Sequence, residues 1–199
     1  MKPPILFLLP FTAASLLAQT PTADDIAAKS QQAFSYAGQD MTERVVMTLV
    51  TASGQQRVRD MTMLRRNDDA GRQKYFIYFH SPADVRATAF LVWKDPDHDA
   101  DRWLFIPALN LVQRIAARDA DSSFVGSDFS YEDISGRPLP ADSRKLLREE
   151  SFDGHACYVV ESVPKSRAGF TRKLAWIDRT NFLPRKEEYY DAQQELFKV

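Results

Sequence analysis

Three short runs of this sequence are apolar on both sides of any strand they could form: Lys74-Tyr75-Phe76-Ile77-Tyr78-Phe79-His80, Phe90-Leu91-Val92-Trp93 and Trp103-Leu104-Phe105-Ile106. Side chains alternate across a strand, so each run sends hydrophobic groups to both faces of its sheet. Such a sheet must be covered twice, or must line a cavity on one side. Phe76, Tyr78, Leu91, Trp93, Trp103 and Phe105 are the candidates for a cavity wall, with plain core packing as the alternative for each.

The chain around them keeps a period of two. From Thr42, Val45, Met47 and Leu49 alternate with Arg44, Val46 and Thr48, and Ser53-Gly54 marks a turn. Arg59, Met61 and Met63 continue on the return strand, and Asp68-Asp69-Ala70-Gly71 turns again. A loop is expected over 117–140. Beyond it, 145–152 turns through Asp153-Gly154 into 155–163 as a hairpin, and strands follow over 170–177, 182–190 and 195–199. About ten strands at this spacing suggest a barrel or sandwich. Ahead of them, 22–37 reads as a helix. Thr22 and Asp25 resemble a capping box, Ile26, Ala27, Ser30, Ala33 and Phe34 share one face, and Gly38 is a stop. No internal repeat or linker divides the chain, so one domain is expected over 19–199.

Composition removes several function classes. The chain has 199 residues, 44% of them hydrophobic, which suits one domain with a real core. Lys+Arg total 26 against Asp+Glu 27, so there is no basic excess to hold nucleic acid. At the start, Lys2, an apolar stretch over 5–17 and the small residue Ala18 have the three-part form of a secretory signal peptide spanning 1–18. The expected product is exported, with Cys157 its single cysteine and no internal disulfide. Cys157 lies in an apolar strand-like run and reads as a buried core thiol.

Few residues have the spacing that chemistry requires. Asp95, Asp97, Asp99 and Asp101 alternate like an EF-hand loop, but Ala100 stands where the loop needs glycine and Ile106 where it needs glutamate. His80, His98 and His155 are too far apart in sequence to suggest a zinc site. Gly126-Ser127-Asp128 lacks the G-x-S-x-G spacing of a nucleophile elbow. Ser127, His155 and Asp128 could meet in space only as any scattered trio could. No metal, cofactor or catalytic set is expected. Arg57, Arg59, Arg65, Arg66, Arg72 and Lys74 cluster on the first hairpins with Asp60, Asp68 and Asp69 among them. They read as a charged outer sheet face, or as a docking patch for an acidic partner or lipid headgroups.

The most distinctive stretch runs from Trp103-Leu104-Phe105-Ile106-Pro107 through Leu111-Val112-Gln113-Arg114-Ile115 to Ser122–Ile134. The last part contains Phe124-Val125-Gly126-Ser127-Asp128-Phe129-Ser130-Tyr131-Glu132-Asp133. This series resembles the LolA-like group of outer-membrane lipoprotein-sorting proteins, in which a W-x-x-x-P strand, a basic-apolar strand and an F-x-G-S-D-F-x-Y-E-D loop follow in that order. His80–Val85, Trp176-Ile177-Asp178 and Leu183-Pro184-Arg185-Lys186 match the flanks, so the resemblance covers about 42–199.

The resemblance implies a mainly β (α+β) fold: a strongly curved antiparallel half-barrel of about ten strands with covering helices. It also implies an apolar concave face able to hold acyl chains, and a family that continues for several strands beyond Val199. Phe124, Gly126, Ser127, Asp128, Phe129, Tyr131 and Asp133 form the family motif loop. That loop is either a gate or docking surface, or a turn that Gly126 frees and Phe129 and Tyr131 anchor. The expected function is that of a monomeric, non-catalytic periplasmic carrier of lipid or lipoprotein acyl chains. It would need no cofactor and no nucleic acid, and its partners would be an inner-membrane exporter or an outer-membrane acceptor. The alternative is an adaptor docking on a lipid exporter of the resistance-nodulation-division type.

Overall fold

The computed structural model describes residues 20–68, 71–96 and 98–199. The signal peptide expected over 1–18 lies outside these. Helix α1 (Ala23–Ser35) starts where a capping box predicts: the Thr22 hydroxyl accepts from the Asp25 amide at 3.1 Å, and the Asp25 carboxylate accepts from the Thr22 amide at 3.2 Å. Strands β1 (Asp40–Val50), β2 (Gln56–Asn67), β3 (Gln73–Ser81), β4 (Ala89–Asp95), β5 (His98–Ile106) and β6 (Leu111–Ile115) form an antiparallel meander in chain order. Helix α2 (Tyr131–Ser135) follows, inside the segment expected to be loop. Strands β7 (Asp142–Phe152), β8 (His155–Pro164), β9 (Arg172–Asp178), β10 (Pro184–Tyr190) and β11 (Leu196–Lys198) make a second antiparallel meander. The β7–β8 turn is built as its sequence demands. Asp153 and Gly154 both take positive φ, 49° and 77°, the requirement of a tight I′ hairpin.

The single curved sheet that was expected is instead two sheets, neither closed into a barrel. Pairing stops after β6 because residues 116–141 leave the ladder and fold back over the first sheet. There Phe124 and Tyr131 enter a cluster with Met61, Tyr75, Ile77, Phe79, Phe90, Val92 and Leu104. This is the larger core. A smaller one forms where Ile26 of α1 meets Tyr158, Val160, Ala175 and Ile177 of the second sheet. Cys157 is fully buried on the opposite face of that sheet, beside Val159, Leu174 and Trp176, and burial pushes its thiol pKa up.

Helix α1 joins the two halves. Its flank packs on the second sheet, while its C-terminal carbonyls are taken up by the first. Arg65 donates to Phe34 and Ala37, Asn67 to Tyr36, and Gln73 to Ser35. The carbonyls of Phe34, Ser35 and Tyr36 are acceptors a helix end leaves unpaired, so side chains of β2 and β3 complete the helix.

Candidate functional site

Strand register sorts the first sheet into two unlike faces. On the covered face, Phe79, Ile77 and Tyr75 alternate with the outward Tyr78, Phe76 and Lys74 along β3. Across β2, β3, β4 and β5, Leu64 opposes Phe76, Phe76 opposes Leu91, and Leu91 opposes Trp103. One step along, Tyr78, Ala89, Phe105 and Val112 make a parallel row. Both rows lie on the outer face, away from the 116–135 cover. Between them opens a depression of about 380 Å³ lined by Phe76, Ala89, Leu91, Trp93, Trp103, Phe105 and Val112. Its lining is almost wholly hydrocarbon, and it is within the size range of small-molecule sites. Phe76, Trp93 and Val112 are 38%, 48% and 61% exposed, an unusual cost for side chains of this kind unless something covers them.

The structure therefore brings together five of the expected cavity residues, Phe76, Leu91, Trp93, Trp103 and Phe105. Tyr78 shares their face but turns to His80, its ring centroid 5.2 Å away. Leu64, Ala89 and Val112 complete the surface. Their places follow from pairing register, which no single strand's pattern contains.

Two residues of the motif loop, Phe124 and Tyr131, pack into the core on the covered face. Phe124 is 1% exposed and meets Phe79, Phe90 and Tyr131 at ring-centroid distances of 5.9, 5.3 and 5.7 Å. Gly126 has φ of 73°, in the left-handed region that favours glycine. The Ser127 hydroxyl is spent on the Phe124 carbonyl at 2.8 Å. Ser130 and Asp133 form a second capping box at the start of α2, and Asp133 also binds Lys198 of β11 at 2.8 Å. Of the two expected anchors, Tyr131 is buried, but Phe129 is 49% exposed and Phe124 takes its role. Asp128 is exposed beside Phe129 on a polar cleft of about 180 Å³, which Phe170 and Phe197 also line.

The basic cluster is divided between faces instead of forming one outer patch. Arg59 and Arg65 are buried, at 5% and 7% exposure, and a third buried arginine, Arg102, joins them on the covered face at 4%. Arg59 donates to the Val125 carbonyl of the motif loop. Arg102 donates to the Ser135 hydroxyl of α2 at 2.9 Å and to the Ala100 carbonyl at 3.0 Å. Each guanidinium thus ties a covering element to the sheet. Burial lowers the pKa of Arg59 and of Arg102, and nearby acids oppose the shift. Period-two parity marks Arg59 and Arg65 as neighbours of Met61 and Met63 on one face, a signal that charge-based reading overlooks.

The remaining candidates do not assemble. The cleft holding Ser127 and Asp128 has no histidine in its lining, and His155 lies 3.0 Å from Asp178 in the second sheet. Among the described residues no group of three or more His, Cys, Asp or Glu could hold a metal. In the acidic run, Asp101 is paired with Arg114, and His98 lies 3.4 Å from Asp95. No helix among the described residues is long and apolar enough to cross a membrane.

A family model described only as an uncharacterized protein matches residues 71–199. No curated protein matches the chain. Among solved structures, a DUF1329 family protein from Desulfovibrio piger is similar with a TM-score of 0.79 and 30% sequence identity, over 87% of this chain and 74% of its own. A putative outer membrane lipoprotein-sorting protein domain from Vibrio parahaemolyticus has the same TM-score of 0.79 and identity of 30%, over 87% of this chain and 73% of the other. A LolA superfamily protein from Nitrosomonas europaea, 22% identical over 89% of this chain and 75% of that one, shares the fold with a TM-score of 0.64.

Proposed function

The chain belongs to the LolA-like family of outer-membrane lipoprotein-sorting proteins, and from that premise we propose that it is a periplasmic carrier of lipid or lipoprotein acyl chains. The observation that carries this reading is the open apolar depression on the first sheet, with two tryptophans and two phenylalanines in its wall. Burying hydrocarbon there yields about 0.8 kcal/mol per CH₂, so a chain of ordinary length binds firmly yet reversibly. A carrier of this kind works by burial alone, needs no cofactor and acts as a monomer. It exchanges its cargo with an inner-membrane exporter or an outer-membrane acceptor.

The geometry supports a cavity on the outer face, walled by five of the residues expected to line one. The face under the 116–135 segment is filled by Phe124 and Tyr131, so cargo belongs on the opposite face, where the hydrocarbon is uncovered. Native mass spectrometry of the protein isolated from a bacterial envelope, followed by solvent extraction, tests the reading. A stoichiometric lipid or acylated peptide is expected. A clean unliganded mass that takes up no added lipid would overturn the carrier reading.

A further inference from the structure

The cations around the open face are not equivalent. Arg44 is neutralised by Asp60, with Nη2 2.6 Å from Oδ2, and Arg114 pairs with Asp101. Arg66 and Lys74 stand directly opposite one another across β2 and β3, both exposed on the outer face, one row beyond Leu64 and Phe76. Neither makes an ion pair among the described residues, although Asp40 stands opposite Arg66 on β1. Like charges directly opposed on neighbouring strands destabilise their sheet. Lys74 is nonetheless held in place: its Nζ lies over the Trp93 ring, 4.8 Å from the centroid, and Trp93 is a wall of the depression. The ammonium therefore stands where hydrocarbon gives way to water. Two neighbouring exposed cations at one end of an apolar trough, neither ion-paired among the described residues, are complementary to an amphiphile with an anionic head and a hydrocarbon tail.

We propose that the outer face takes a monomeric anionic phospholipid, its phosphate between Lys74 and Arg66 and an acyl chain along Phe76, Leu91 and Trp103. The inference rests on the carrier reading and adds the headgroup to it. A phosphate in this position relieves the repulsion of the opposed cations, while the chain covers side chains that are otherwise left in water.

Quenching or enhancement of tryptophan fluorescence tests this with two probes of equal chain length, dihexanoyl phosphatidylglycerol and the phosphate-free dihexanoylglycerol, both below their aggregation limits. The purified protein should bind the phosphatidylglycerol about tenfold more tightly. In the double variant Arg66→Gln, Lys74→Gln that preference should fall below about twofold, with dihexanoylglycerol binding unchanged and the circular dichroism spectrum retained. Equal binding of the two probes by the unaltered protein would overturn the headgroup inference and leave the carrier reading standing. Binding of neither would overturn both. Inorganic phosphate that displaces the lipid at equal concentration would overturn it in favour of a free-anion site. Sedimentation with phosphatidylglycerol vesicles without uptake of the monomer would overturn it in favour of a membrane surface.

Discussion

Trp93 and Trp103 meet edge to face on the open side of the first sheet, their ring centroids 5.4 Å apart and their planes at 72°. They are diagonal neighbours across β4 and β5, with Leu91 directly opposite Trp103. The hydrophobic core that holds these strands lies on the other face, around Phe90, Val92 and Leu104. The two indoles are thus available for burial by something outside the sheet.

Trp103→Glu should accordingly abolish lipid uptake and leave a folded protein. Extractable lipid should drop to background while the thermal unfolding midpoint moves by only a few degrees. Loss of the folded baseline would instead mark Trp103 as part of the core.

Phe124→Ala should do the reverse. It removes a fully buried ring from contact with Phe79, Phe90 and Tyr131, leaving a cavity worth roughly 3–5 kcal/mol of stability. Urea denaturation reads the loss directly. A midpoint unchanged from the parent protein would show that the motif loop is a mobile gate and not a plug.

Ser135→Ala tests the buried guanidinium of Arg102. The hydroxyl accepts from Arg102 and donates to the Tyr131 carbonyl at 2.8 Å, so its removal takes a partner from a buried charge. A cost of about 1–3 kcal/mol is expected for this single-atom change. A Ser135→Thr variant that keeps the hydroxyl should recover part of it.

Lys94 makes stability depend on alkaline pH. Burial, with Arg102 nearby, lowers its pKa from 10.5 to about 8, and its Nζ faces the Tyr36 ring at 5.6 Å. Between about pH 8 and 10.5 the unfolded chain holds this proton and the folded protein does not, so stability rises with pH through that window. In Lys94→Met the rise should disappear, and the protein should be more stable than its parent at pH 7. A pH profile identical in both proteins would show that Lys94 keeps its proton in the fold.

Much of this was legible in the chain. The doubly apolar runs announce a sheet with two hydrophobic faces, and alternation alone places Phe76 with Tyr78, Leu91 with Trp93, and Trp103 with Phe105. Thr22 and Asp25 announce α1, and Asp153-Gly154 announces a tight turn, because capping and positive φ are local demands met by local residues. The break after β6 was not legible. Phe124 and Tyr131 leave the ladder to meet Phe79 and Phe90, contacts between residues about 30 to 50 positions apart that no local pattern encodes.

What the sequence determined by itself, then, is the partition of side chains into two sets per strand. Only the tertiary structure decided which set is packed and which is left open. A period of two carries parity and no sign: it says that Phe76 and Ile77 part company, without saying which one the chain will cover. The choice is made where residues 116–135 fold back, with Arg59 and Arg102 bonded to Val125 and Ser135 on the covered side. That closure leaves Lys74, Trp93 and Trp103 facing outward together.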